Sequence, residues 1–181
     1  DAVNLLGEVS GSGPLIKGNP GLLTFAASNS FTGDLSIQSG TVALTGDGSI
    51  SRAANIILAG TTLDVSGRSD LSLTLASGQT LQGNGTIIGT LVSPSDTTIL
   101  PGTSMGTLNV NGDATLRGNT VMELSKVAAA YSSDLLAVTG TLDLGGTLAL
   151  TYSGDNLQAG DTFVLFTAAT LANAFTSVSL P

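Results

Sequence analysis

The chain has 181 residues, enough for one domain with a sizeable core, and 41% of them are hydrophobic, which excludes a disordered chain. Charged residues make up only 10% and aromatics 4%, so the solvent face must be built from hydroxyls, amides and exposed backbone, in the manner of β-rich extracellular proteins. The net charge of -8 comes with five scattered bases (Lys17, Arg52, Arg68, Arg117, Lys126), and the absence of Cys and His removes disulfides, thiol chemistry, the commonest general base and the commonest metal ligand.

Scattered bases make no basic patch, so no nucleic-acid partner is expected. No run of 18 apolar residues occurs, so no membrane span is expected. A start at Asp1 without Met is read as the mature end of an exported chain whose signal peptide has been removed, or as the cut end of a longer one.

Taken in chain order, Asp1–Ile16 is apolar and rich in Gly and Ser, and Val3, Leu5, Leu6 and Val9 form a candidate edge strand in search of a partner. Next come short alternating runs opened by Gly and Thr: Gly40-Thr41-Val42-Ala43-Leu44, Gly60-Thr61-Thr62-Leu63-Asp64-Val65 and Gly78-Gln79-Thr80-Leu81. Alternation of apolar with small or polar residues is the period of a half-buried strand. Turn formers separate the runs, as in Thr45-Gly46-Asp47-Gly48 and Gly83-Asn84-Gly85.

Run starts at 40, 60 and 78 give a period of about 20 residues, a solenoid spacing and not a hairpin spacing. One such coil cannot bury its apolar stripe, but stacked coils can. Leu35, Ile37, Val42, Leu44, Ile56, Leu58, Leu63, Val65, Leu71, Leu73 and Leu75 are the expected inward stack. At that period the chain makes roughly nine coils, on the order of 40 Å of rod.

Further runs open at Gly106, Gly140 and Gly146. From about residue 125 the character changes. Lys126-Val127-Ala128-Ala129-Ala130-Tyr131 has helical leanings and is read as a short loop or single turn. Asp161-Thr162-Phe163-Val164-Leu165-Phe166 reads as a strong strand. The expected division is a repeat region over 1–125 and terminal coils with a β-rich cap over 126–181, continuous with the first. Within the second part Phe163, Leu165, Phe166 and Phe175 are a candidate acceptor end for the N-terminal strand of another copy.

Several sequences resemble a known family. Lys17-Gly18-Asn19-Pro20-Gly21-Leu22-Leu23-Thr24-Phe25, Asn29-Ser30-Phe31-Thr32-Gly33 and Ile37-Gln38-Ser39-Gly40-Thr41-Val42 resemble the passenger-associated transport repeat, also called the autotransporter-associated β-strand repeat, with Phe31 and Val42 where Tyr and Leu are usual. Leu81-Gln82-Gly83-Asn84-Gly85-Thr86, Leu100 to Leu108 and Ser133 to Gly140 are similar to segments that follow this repeat, and Gly160-Asp161-Thr162-Phe163 and Ser177 to Pro181 to its closing module. The resemblance implies export, a right-handed parallel β-helix and a role at a bacterial cell surface. The chain departs from the pattern in lacking the amphipathic strands of a translocating barrel.

Candidate sites are few. Asp64 and Asp70 are the nearest pair of carboxylates for glycoside chemistry and read as solvated surface residues. Asp47 sits in a Gly-Asp-Gly turn with no second calcium ligand at loop spacing. Gly83-Asn84-Gly85 has no Lys and opens no helix, so it is no phosphate loop. Asn29, Asn55 and Asn109 are candidates for a structural ladder. No catalytic residue, metal or cofactor is expected.

Two functions remain open: a structural subunit assembled head to tail, or a passenger module, flanked by neighbouring repeats of a longer surface protein, that binds glycans or cell-surface proteins. The first sixteen residues correspondingly read either as an assembly strand or as the first coil of a longer solenoid.

Overall fold

A computed structural model describes residues 1–181. The chain forms no helix. It runs through β1 (Ala2–Leu5), β2 (Leu15–Lys17), β3 (Leu22–Phe25), β4 (Leu35–Ile37), β5 (Thr41–Gly46), β6 (Asn55–Arg68), β7 (Ser72–Thr74), β8 (Thr80–Ile88), β9 (Thr90–Ser93) and β10 (Thr98–Pro101). There follow β11 (Thr107–Asn111), β12 (Ala114–Leu116), β13 (Asn119–Val127), β14 (Ala130–Ser133), β15 (Leu135–Val138), β16 (Thr141–Leu144), β17 (Thr147–Gly154), β18 (Phe166–Thr167), β19 (Thr170–Asn173) and β20 (Ser177–Ser179).

Strand pairing winds these segments around three faces. The first face stacks β1, β3, β5, the second half of β6, the second half of β8, β11, β15 and β18. The second stacks β2, β4, the first half of β6, the first half of β8, β10, β13, β17 and β20. The third stacks β7, β9, β12, β16 and β19. Every ladder on these faces is parallel, and the chain visits the faces in the same cyclic order on each turn, which is the arrangement of a β-solenoid. The only antiparallel strand pair is β13 with β14.

Alternation explains the core. On the first face Val3, Leu23, Val42, Leu63, Ile87, Val110 and Val138 lie in one inward column. Leu73, Leu91, Ala114 and Leu142 form its counterpart on the third face. Outward positions between them carry hydroxyls and amides, as in the first-face row Thr41, Thr62, Thr86 and Asn109. Period-two burial of this kind follows directly from the pleat. No buried side-chain polar atom lacks a partner. Buried Gln79, for example, donates to the carbonyls of Ile50 and Ala53 at 3.0 and 2.7 Å.

Corners carry the glycines. At Gly60 (φ +71°) β6 turns from the second face to the first, and at Gly83 (φ +101°) β8 does the same. A side chain at 83 would stand 2.0 Å from the Leu58 carbonyl oxygen, so this corner excludes any residue but Gly.

Several expectations are corrected. Leu71 is not in the stack: it sits at φ +53° on the corner before β7 and is 55% exposed, while Leu73 and Leu75 are buried. Lys126 to Tyr131 is neither loop nor helical turn but a β-hairpin, with Val127 opposite Ala130 and Lys126 opposite Tyr131. Of the expected strand 161–166 only Phe166 is in β structure. The first and second faces have eight strands each instead of nine, because coils lengthen from about 20 residues near the start to nearly 30 near the end. The asparagines do not stack on one another. Asn29 instead ties three coils, accepting from Val9 N at 2.9 Å and donating to the carbonyls of Ala27 and Ser49, while Asn55 donates to Asp34 and Asn109 to Gly85. Asn29 serves where the third side is still irregular, before β7 begins.

Candidate functional site: the two ends and the corner outgrowth

The carboxylates singled out for chemistry are held by their own neighbours. Asp64 points outward from β6 and accepts from Ser66 N at 2.9 Å and Ser66 Oγ at 2.6 Å. Asp70 takes both arms of the Arg68 fork, at 2.9 and 3.1 Å, and this guanidinium with the Ser72 amide lowers its pKa to about 2. The Arg68 pair thus favours the ionised form of Asp70. Asp47 is an exposed turn residue, and no three acidic side chains come close enough to share a metal ion. Gly83-Asn84-Gly85 is a strand corner within β8.

At the N-terminal end, β1 pairs with β3 along one edge and has no partner along the other. Val3 heads the inward column yet is 53% exposed, because nothing lies beneath it. Leu5 and Val9 pack against the core, half-buried, and Leu6 points to solvent. Lys17 occupies an inward position under Ile37 and Leu58. Half-buried there, it donates from its ammonium to the carbonyls of Asn19 and Ser39.

The candidate acceptor residues do not form one group. Leu165, Phe166 and Phe175 pack on the last layer of the core, with the Phe166 and Phe175 rings 5.5 Å apart. Leu171, Val178 and Leu180 in the same coil are exposed. Phe163 stands apart on the side of the rod, edge-on to Tyr131 at 5.7 Å.

That side carries a feature the sequence reading missed. At the corner between the second and first faces, the hairpin β13–β14 and the segment 155–165 grow outward and lock together. Lys126 and Asp161 pair at 2.7 Å with each side chain about one-tenth exposed. Tyr131 Oη donates to the other Asp161 oxygen at 2.7 Å, and the Gln158 amide donates to the carboxylate. The Lys126 ammonium lies 5.6 Å from the Tyr131 ring centroid. Lys126, then Tyr131, hold the Asp161 pKa at about 2, and Asp161 in turn raises those of Lys126 and Tyr131. At the root of the hairpin, buried Asp134 accepts from Gly106 N at 2.9 Å and Glu123 N at 2.8 Å, and burial raises its pKa. The available signal was compositional: in a chain so poor in charge and aromatics, Lys126, Tyr131, Asp161 and Phe163 fall within one stretch.

Fold and surface thus define an all-β protein of parallel stacked coils with one lateral outgrowth. Comparison with protein-family models, with curated proteins and with solved structures found no match. No helix is long and apolar enough to cross a membrane.

Proposed function

We propose that this protein is a non-enzymatic extracellular structural module, a right-handed β-helical rod that extends by stacking coil on coil, its copies joined end to end in a surface filament. The distribution of exposed large apolar residues carries this reading. Val3, Leu6 and Ile16 lie in the first coil, Leu22 at the start of the second where it stacks on Ala2, Leu171, Val178 and Leu180 in the last, Val127, Tyr131, Leu157 and Val164 on the outgrowth, and only Leu71 on a flank. A solenoid end combines such surface with unpaired backbone, which must be covered or used. Contact between unlike ends propagates as an open fibre. Right-handed winding follows the strong preference of crossovers between parallel strands. The aromatic last coil, with Phe166 and Phe175, serves as the receiving layer, or as a cap where no partner docks. Surface placement outside the cell accords with a solvent face of hydroxyls and with the family resemblance.

Tyr131, 45% exposed beside Phe163 on the outgrowth, favours a second reading, a passenger module binding glycans or surface proteins. Deleting residues 1–9, which removes β1, separates the two. If ends drive assembly, the full chain sediments as a concentration-dependent polymer and the truncated chain as a folded monomer. Monomers for both at high concentration would contradict the filament and favour the adhesive module.

A further inference from the structure

We propose that the corner between the second and first faces holds a binding groove for a neutral oligosaccharide, with Glu123 at its centre. The inference rests on the second reading above, which it deepens, and is independent of the filament.

Insertions mark this corner. Pro101 pairs with Gly83 and Leu108 with Gly85, so β8 makes the turn with Asn84 alone while the next coil spends 102–107 on it. The coil after that inserts the β13–β14 hairpin between Met122 and Leu136, and the following one inserts 151–165 between Leu150 and Phe166. Three consecutive coils thus lengthen at one place. In proteins of stacked coils, insertions gathered on one side build the binding surface.

Between the 102–106 loop and the outer surface of the second face lie two adjoining recesses of about 190 and 250 Å³, both lined by Glu123 and Thr151. From Gln82 on β8, past β10 and β13, to Thr151 on β17 the groove crosses four strands, about 14 Å at the spacing of a parallel ladder. Asp134 fixes its width. One oxygen accepts from Gly106 N on the loop and the other from Glu123 N on the strand, so both walls are held before any ligand arrives.

The lining selects the ligand. Leu100 and Val121 point outward on the floor and offer an aliphatic surface to the C–H side of a sugar ring. Around them stand the Gln82 amide, the Thr103, Thr151 and Ser153 hydroxyls and the Glu123 carboxylate. Glu123 is exposed and takes part in none of the ion pairs of the protein. A carboxylate accepts from two neighbouring hydroxyls of one ring, and an amide both donates and accepts. No Lys or Arg lines either recess and the chain carries a net charge of -8, so acidic glycans are repelled. A basic side chain from a protein would satisfy Glu123 alone, whereas the run of uncharged polar groups along the groove suits a hydroxyl-rich chain.

Isothermal titration calorimetry of the full chain with cellotetraose, maltotetraose, tetragalacturonate and tetralysine tests the groove. The Glu123 side chain is exposed, and its main-chain amide is what holds Asp134, so Glu123→Ala should keep the fold in circular dichroism. At least one neutral tetrasaccharide should bind, and Glu123→Ala should weaken it at least about tenfold while Asp64→Ala on the first face leaves it unchanged. Tetragalacturonate should not bind. Binding of a neutral tetrasaccharide that Glu123→Ala does not alter would overturn this site and leave the glycan-binding reading standing. Binding of tetragalacturonate as tight as that of the neutral probes would overturn the charge selection, and binding of tetralysine alone would overturn the oligosaccharide in favour of a basic peptide. No heat with any probe would overturn both the groove and the glycan-binding reading.

Discussion

Leu63 and Asp64 are neighbours in β6, one fully buried and the other turned to solvent. Replacing Leu63 with Asp puts an unpaired charge into a column with Val42 below and Ile87 above, and should cost several kcal/mol, enough to unfold the stack. Asp64→Ala removes two hydrogen bonds to Ser66 at the surface and should cost no more than about 1 kcal/mol in a denaturant titration. Equal losses would place the strand register one residue off. Buried Asp134 makes a sharper case. Both oxygens accept main-chain amides, so Asp134→Asn turns an NH₂ group toward one of those donors. A loss of about 1–3 kcal/mol is expected, measured by thermal unfolding, and an unchanged midpoint would contradict the clasp.

At the scale of elements, strand identity was legible and corner identity was not. The Gly-Thr openings at 40, 106, 140 and 146 each begin a strand and the one at 60 turns β6 from the second face to the first, because every corner poses the same demand, a turn followed by an alternating run. For that reason the openings could not be used as a ruler. Gly40 precedes β5 and Gly60 the second half of β6, both on the first face, but Gly78 precedes β8 on the second, Gly140 precedes β16 on the third and Gly146 precedes β17 on the second. The outgrowth was illegible for a related reason. Its residues are bound by cross-chain pairs such as Lys126 with Asp161, thirty-five positions apart, which no local pattern encodes. Its pH response is testable. Asp161 titrates at about 2 in the fold against 3.8 ordinarily, so its contribution is present above about pH 4 and is lost as pH falls toward 2. The unfolding temperature should drop over that window and drop less in Asp161→Asn. Identical acid profiles would mean that the Lys126 pair adds nothing to stability. Gly83→Ala should destabilise by about 1–3 kcal/mol through its positive φ and the Leu58 carbonyl, while Gly13→Ala, with open space around it, should leave the denaturation midpoint unchanged.

Across the whole molecule the rod is about 35 Å long, from eight strands at the spacing of a parallel ladder. Its stacked columns were readable from alternation alone, as Ile37, Leu58 and Leu63 demonstrate, all fully buried as expected. What alternation could not convey is the difference between the two ends: a first coil with Lys17 at an inward position and Ile16 outward, and a last coil with an aromatic layer and an outgrowth beside it. The proposed filament would join these unlike ends and so grow along one axis. Electron microscopy of the full chain over a range of concentrations tests this most directly. The account predicts filaments of constant width that lengthen with concentration and repeat axially at about one rod length, roughly 35 Å. Isolated particles one rod long at every concentration would contradict it.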